Sequence, residues 1–222
     1  MNRIKGMIFD MDGLMFDTEN MSSECWVKVG KENGFNITRE LIDGTRGLDR
    51  RKTKKILEDK FGSEFDFKWF SDKSREYMDA IIEENGMPVK KGLIELLKYL
   101  KANGYRCAVA SSTERKRVEY YLKRADIEEY FYTVICGDDV SRGKPNPDIF
   151  LKAAEKLGIA PEECMVLEDS RYGIEAAFRA EIPVVMIPDM IMPEPDTEKM
   201  LYDRKESLLE VIDLLEEYEV RC

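Results

Sequence analysis

The sequence predicts an α/β fold, a Rossmann-like parallel sheet with helices on both faces, together with a small all-helical segment inserted after the first strand. Three observations predict it. Short apolar runs recur at residues 4–10, 105–110, 133–136, 165–167 and 183–187, each bounded by polar or turn residues as buried strands are. Helix-like stretches separate the last four runs, and such alternation builds a parallel sheet. Between Thr18 and Pro88 no strand-like run occurs and polar helices succeed one another, so that stretch reads as an insert.

Taken in order, the run from Ile4 ends in the acids Asp10 and Asp12. The expected division is an α/β core of residues 1–17 and 89–222 around a helical domain of residues 18–88. The loop after Asp17 and Gly86-Met87-Pro88 serve as hinges. Leu93, Leu96, Leu97 and Leu100 then recur at i, i+3, i+4 and i+7, and Gly104 stops the helix. Tyr105 to Ala110 forms the second strand and ends in Ser111 and Ser112. Ile149, Phe150, Ala153, Ala154 and Leu157 make a second helical stripe, opened by Pro147-Asp148 and closed by Gly158. Ser170 to Ala180 and Ser207 to Tyr218 supply two more helices. These apolar faces are core.

Composition narrows the chemistry. With 35 Lys+Arg against 45 Asp+Glu, the net charge of −10 opposes binding to nucleic acid or anionic membrane. No run approaches the roughly 20 apolar residues of a membrane span, and Asp10, Asp12 and Asp17 break the N-terminal one. A cytoplasmic monomer is the expectation. The five cysteines are scattered without a C-x-x-C pair, so they read as inert thiols. The chain contains no histidine, which removes Ser-His-Asp and Cys-His catalysis and most transition-metal sites. Catalysis must then run on carboxylates, lysines, hydroxyls or a hard metal.

Ligands of an open α/β sheet bind at the carboxyl ends of its strands. The residues that end the apolar runs are Asp10 and Asp12, Ser111 and Ser112, and Glu168 and Asp169, with Lys144 in the loop after the third run. Acids converging at one edge repel one another unless a hard cation with oxygen ligands sits among them, and Mg2+ is the expected ion. The same place can hold a phosphate, since phosphoryl transfer needs charge neutralisation and positioning. A carboxylate is then free to attack phosphorus, already ionised and in need of no base. Gly13 lets the chain turn after the Asp10-Met11-Asp12 pair, so that both acids surround one reacting group, with Asp12 handling the proton. Taken singly, each signal is weak: D-x-D-G often ends a strand, and Lys144 reads as a solvated loop lysine.

Together they carry a resemblance. Phe9-Asp10-Met11-Asp12-Gly13-Leu14-Met15-Phe16-Asp17-Thr18-Glu19 resembles the first motif of the haloacid dehalogenase superfamily. Val109-Ala110-Ser111-Ser112 resembles the second, Gly143-Lys144-Pro145-Asn146-Pro147-Asp148-Ile149-Phe150 the third, and Val166-Leu167-Glu168-Asp169-Ser170 with Gly173 the fourth. The subgroup it resembles carries a helical cap between the first two motifs and includes β-phosphoglucomutase and several sugar-phosphate phosphatases. The resemblance implies a small phosphorylated metabolite as substrate, Asp10 as nucleophile and Asp12 as acid/base. It implies Ser111, Ser112 and Lys144 as phosphate ligands. Mg2+ is expected on Asp10, the Asp12 carbonyl, Asp169 and Glu168, although Glu168 equally suits the task of orienting Lys144. In the cap, Thr18, Arg50 and Lys73 are the expected substrate contacts; the plain reading of the basic run Arg46 to Lys55 is a solvated helix. Where β-phosphoglucomutase has a histidine after the Asp-Thr pair, this chain has Ser22, which favours a phosphatase over a mutase. A non-catalytic binding protein would have lost Asp10 or Asp12, and both are present.

Overall fold

The computed structural model describes residues 3–45, 50–189 and 193–221. In chain order its elements are β1 (Gly6–Phe9), α1 (Thr18–Glu32), α2 (Arg39–Asp43), α3 (Arg50–Phe61), α4 (Phe67–Asn85) and α5 (Leu93–Ala102). There follow β2 (Arg106–Ala110), α6 (Arg115–Arg124), β3 (Phe131–Ile135), α7 (Asp148–Leu157), β4 (Cys164–Glu168) and α8 (Arg171–Arg179). The chain continues with β5 (Val184–Met186), α9 (Pro195–Glu198), β6 (Asp203–Arg204) and α10 (Glu210–Arg221). Two compact units emerge, residues 1–17 with 89–222, and residues 18–88.

The first unit is a six-stranded sheet of order β3-β2-β1-β4-β5-β6, parallel at every pairing. Five strands are expected from the apolar runs; the sixth, β6, holds only Asp203 and Arg204, and two polar residues leave no apolar signature. Central β1 and β4 are wholly buried. On one face Ile8, Ala108, Ala110, Val166, Val184 and Met186 pack with Ile149, Phe150, Ala153 and Leu157 of α7 and with Ile174 and Ala177 of α8. The alternate residues Met7, Phe9, Val109, Met165, Leu167 and Val185 are equally buried, so both faces are covered, as a parallel sheet requires.

Cys25, Cys107, Cys136 and Cys164 are buried free thiols, and burial pushes them up to between about 11 and about 12. They pack as small hydrophobes. No helix among the described residues is long and apolar enough to cross a membrane.

The second unit is all helical, with Thr38 capping α2 through Leu41 N at 3.3 Å and Asp66 capping α4 through Trp69 N at 3.0 Å. Its core is aromatic. Phe65 stacks on Phe70 with centroids 4.5 Å apart, and Phe35 meets Phe70 edge-on at 5.1 Å, beside buried Val29, Ile37 and Leu57. Phe35 and Phe65 lie between helices, where helical periodicity does not reveal a core position.

Candidate active site

Parallel pairing fixes which residues meet beyond the strand ends. Phe9 lies opposite both Val109 and Leu167, and the Asp10 amide continues the ladder by donating to the Leu167 carbonyl at 3.0 Å. Asp10 therefore emerges beside Glu168. On its other side the Ser111 amide donates to the Ile135 carbonyl at 3.0 Å. The loop bearing Lys144 is tied down on both flanks: Arg142 forks onto Asp148 at 2.8 and 2.7 Å, and Arg179 donates to the Pro145 carbonyl at 2.8 Å. Lys144 Nζ reaches Asp10 Oδ1 at 2.5 Å and Glu168 Oε1 at 2.7 Å, with its side chain only 6% exposed.

One lysine among buried carboxylates leaves the site short of positive charge. Burial is the largest influence on Asp10 and pushes its carboxyl up to about 8, with Glu168 adding to the shift and Lys144 opposing it. Burial also holds Asp169 well above the ordinary carboxylate range, reinforced by the charges of Glu168 and Asp10. For Lys144, burial alone would lower the ammonium, and attraction to Asp10 and Glu168 more than reverses this. Asp169 Oδ1 is buried without a hydrogen-bond partner, an arrangement that native proteins rarely tolerate. A hard divalent cation would satisfy both the orphaned oxygen and the charge deficit, and the donors gathered here are oxygens of the kind it prefers. The turn Asp12-Gly13 passes close to this acid: Gly13 has φ +85°, and a Cβ there would stand 2.3 Å from Asp169 Oδ2.

Asp12 is half-buried and leaves the strand line, because Gly13 N bonds to Phe16 O at 2.9 Å and Met15 N to Met11 O at 2.9 Å. Its Oδ2 accepts a hydrogen bond from Thr113 Oγ1 at 2.7 Å and a long one from Ser111 Oγ at 3.5 Å. Ser112 is exposed. Thr113 was not among the residues expected here; the signal available was a third hydroxyl in Ser111-Ser112-Thr113 after the strand. Also unexpected is Asp189, which pairs with Lys90 at 2.6 Å and lies near enough for its charge to act on Asp169.

Glu168 is fully buried and has both oxygens engaged, Oε1 by Lys144 and Oε2 by the Ser170 amide at 2.7 Å. It thus orients Lys144, while each oxygen keeps a second lone pair that can serve a cation. The carboxylate fits only because α8 offers glycine beneath it: a Cβ on Gly173 would lie 1.6 Å from Oε1. Gly173→Ala in an exposed helix would gain about 0.5–1 kcal/mol. A free glutamate could swing aside, but this one is held by two hydrogen bonds in a closed site, and breaking a buried ion pair costs about 3–5 kcal/mol. The expected result is a net loss of about 2 kcal/mol or more in urea unfolding, with catalytic activity falling alongside.

In the helical unit Thr18 opens α1 and is buried, and Lys73 on α4 pairs with Glu76 at 2.7 Å. The Arg50 side chain and residues 46–49 lie outside the described residues. A group formed by Cys136, Asp138 and Asp139 brings potential ligand atoms together. These are engaged structurally, since the Asp139 carboxylate accepts from the Cys136 amide at 2.8 Å and from Arg115 at 2.5 Å.

The sequence profile of the haloacid dehalogenase-like hydrolases matches residues 7–187. The chain belongs to this family. A phosphorylated carbohydrates phosphatase from Thermotoga maritima is 32% identical over 179 residues, covering 81% of this chain and 82% of the relative. A β-phosphoglucomutase from Bacillus subtilis is 27% identical, with 78% of each chain covered. The crystal structure of a candidate β-phosphoglucomutase from Thermotoga maritima superimposes with a TM-score of 0.82 at 28% identity, over 96% of this chain and 99% of that one. Membership of this hydrolase family makes the chain an enzyme.

Proposed function

We propose that this haloacid dehalogenase-like hydrolase is a phosphatase of small phosphorylated carbohydrates, a cytoplasmic monomer that takes the phosphoryl group onto Asp10 and passes it to water. The observation that carries the reading is the buried Asp10 carboxylate with Lys144 at 2.5 Å, beside an Asp169 oxygen that lacks a partner. The substrate class follows the name of the 32% identical relative.

Asp10, the Asp12 carbonyl, Asp169 and Glu168 would hold Mg2+, which supplies the positive charge that draws in the phosphoryl group and keeps Asp10 ionised. Lys144 meets the phosphate oxygens by exchanging part of its contact with Asp10 for them, while Glu168 keeps it aimed. Ser111 and the Ser112 backbone bind the remaining oxygens. Asp10 forms its bond to phosphorus as the ester bond breaks, and Asp12 delivers a proton to the departing sugar oxygen. Water then attacks phosphorus, Asp12 takes its proton, and inorganic phosphate leaves with Asp10 regenerated.

Phosphate release from a panel of sugar phosphates tests the reading. Turnover is expected with Mg2+, lost in EDTA and restored by added Mg2+. No turnover on any member would sink it. Conversion of β-glucose 1-phosphate to glucose 6-phosphate, stimulated by glucose 1,6-bisphosphate, would establish a mutase instead.

A further inference from the structure

Asp12 has to present one oxygen to a leaving group, and a carboxylate on a turn is free to rotate unless something holds it. Thr113 holds it. Its hydroxyl donates to Asp12 Oδ2 at 2.7 Å, and its own backbone is fixed on both sides: Thr113 N donates to Ser111 Oγ at 3.1 Å, and the Thr113 carbonyl accepts from Gly137 N at 3.1 Å. Gly137 is packed so closely that a Cβ there would stand 2.2 Å from the Ser112 carbonyl oxygen. The turn after β2 is therefore a rigid arm with the Thr113 hydroxyl at its end.

We infer that Thr113 is a positioning residue for the acid/base, a role that rests on the reading of Asp12 given above. With Oδ2 accepting from Thr113 at 2.7 Å and from Ser111 at 3.5 Å, the transferable proton of Asp12 is assigned in this reading to Oδ1. In the first half-reaction the Asp10–phosphorus bond forms, the phosphorus–sugar oxygen bond breaks with its electron pair going to that oxygen, and the Oδ1 proton joins it. In the second, water oxygen bonds to phosphorus, the Asp10–phosphorus bond breaks, and the water proton returns to Oδ1. Thr113 exchanges no proton in either half.

The test compares wild type, Thr113→Val and Thr113→Ser on two esters: the panel member that the wild type turns over fastest, and p-nitrophenyl phosphate, whose leaving group needs no proton. For Thr113→Val, kcat on the sugar phosphate should fall about 10- to 100-fold, part of the roughly 10²–10⁴ that proton transfer contributes, with KM within about twofold. Its first-turnover release of p-nitrophenolate, followed by stopped flow, should stay within about threefold of wild type, because that step requires no general acid. Thr113→Ser should recover most of the kcat. The inference is overturned if Thr113→Val keeps wild-type kcat on the sugar phosphate. It is also overturned if both esters slow equally with a raised KM, as for a substrate ligand, or if Thr113→Ser is as impaired as Thr113→Val, as for a packing contact. A wild type inert toward every ester would instead sink the phosphatase reading itself.

Discussion

Asp10→Asn is expected to reduce turnover by about 10⁴-fold or more, the scale on which loss of a nucleophile acts when the rest of the site stays intact. The amide retains the shape of the side chain and the ladder bond from the Asp10 amide to Leu167, so folding should survive. Two electrostatic effects then oppose each other. Buried Glu168 and half-buried Asp169 lose a repelling neighbour, which stabilises. Lys144 loses one of its two carboxylate partners and keeps Glu168 at 2.7 Å, which destabilises. Because the two effects oppose each other and Lys144 keeps a carboxylate partner, the net change in unfolding free energy should stay near about 1 kcal/mol, well below the roughly 3–5 kcal/mol of a buried charge left with no partner. Phosphate release and urea unfolding on the same preparation measure both quantities. A variant that hydrolyses sugar phosphates at a wild-type rate would remove Asp10 from the chemistry.

Lys144→Ala should produce the largest loss of stability among single substitutions at the site. It strips the shared cation from Asp10 and Glu168, both buried, and removing one partner of a buried pair costs about 3–5 kcal/mol. Protonation of Asp10 softens the loss at lower pH: burial already holds that carboxyl up to about 8, and without Lys144 it rises further. An acid whose folded-state value lies above its unfolded value is least costly when protonated, so the variant should lose stability as pH rises from about 5 toward 9. Urea midpoints across that range give the slope; a variant equally stable at both ends would contradict it. The comparison is Lys55→Ala, which breaks an ion pair of similar length, 2.8 Å, on an exposed helix. There water replaces the partner, and no measurable change is expected.

Much of this architecture is legible in the sequence because it rests on short-range regularities. A buried parallel strand is an apolar run, and the residue that ends it sits at the ligand edge, so Asp10, Ser111, Glu168 and Asp169 could be placed by position alone. What escaped depends on contacts between distant residues. Thr113 is ordinary until β1 and β2 bring it beside Asp12, whereas the orienting of Lys144 by Glu168 is one of the two expectations for that acid. The insert reads as polar helices because Phe35 and Phe65 lie between them, although both join its aromatic cluster. Similarly, β6 is too short and too polar to register as a strand.

Gly173 and Glu168, five positions apart in the chain, occupy what is nearly one volume. Neither can be changed freely while the other stays: a methyl at the former evicts the carboxylate, and only a shorter side chain at the latter makes room for it. For mutational history the two behave as a single inherited unit, crossed in two steps whose order matters, with the shorter acid having to precede the alanine. Randomised libraries that vary Gly173 alone will find that position closed, and a designer who wishes to place a side chain there must first shorten the acid above it.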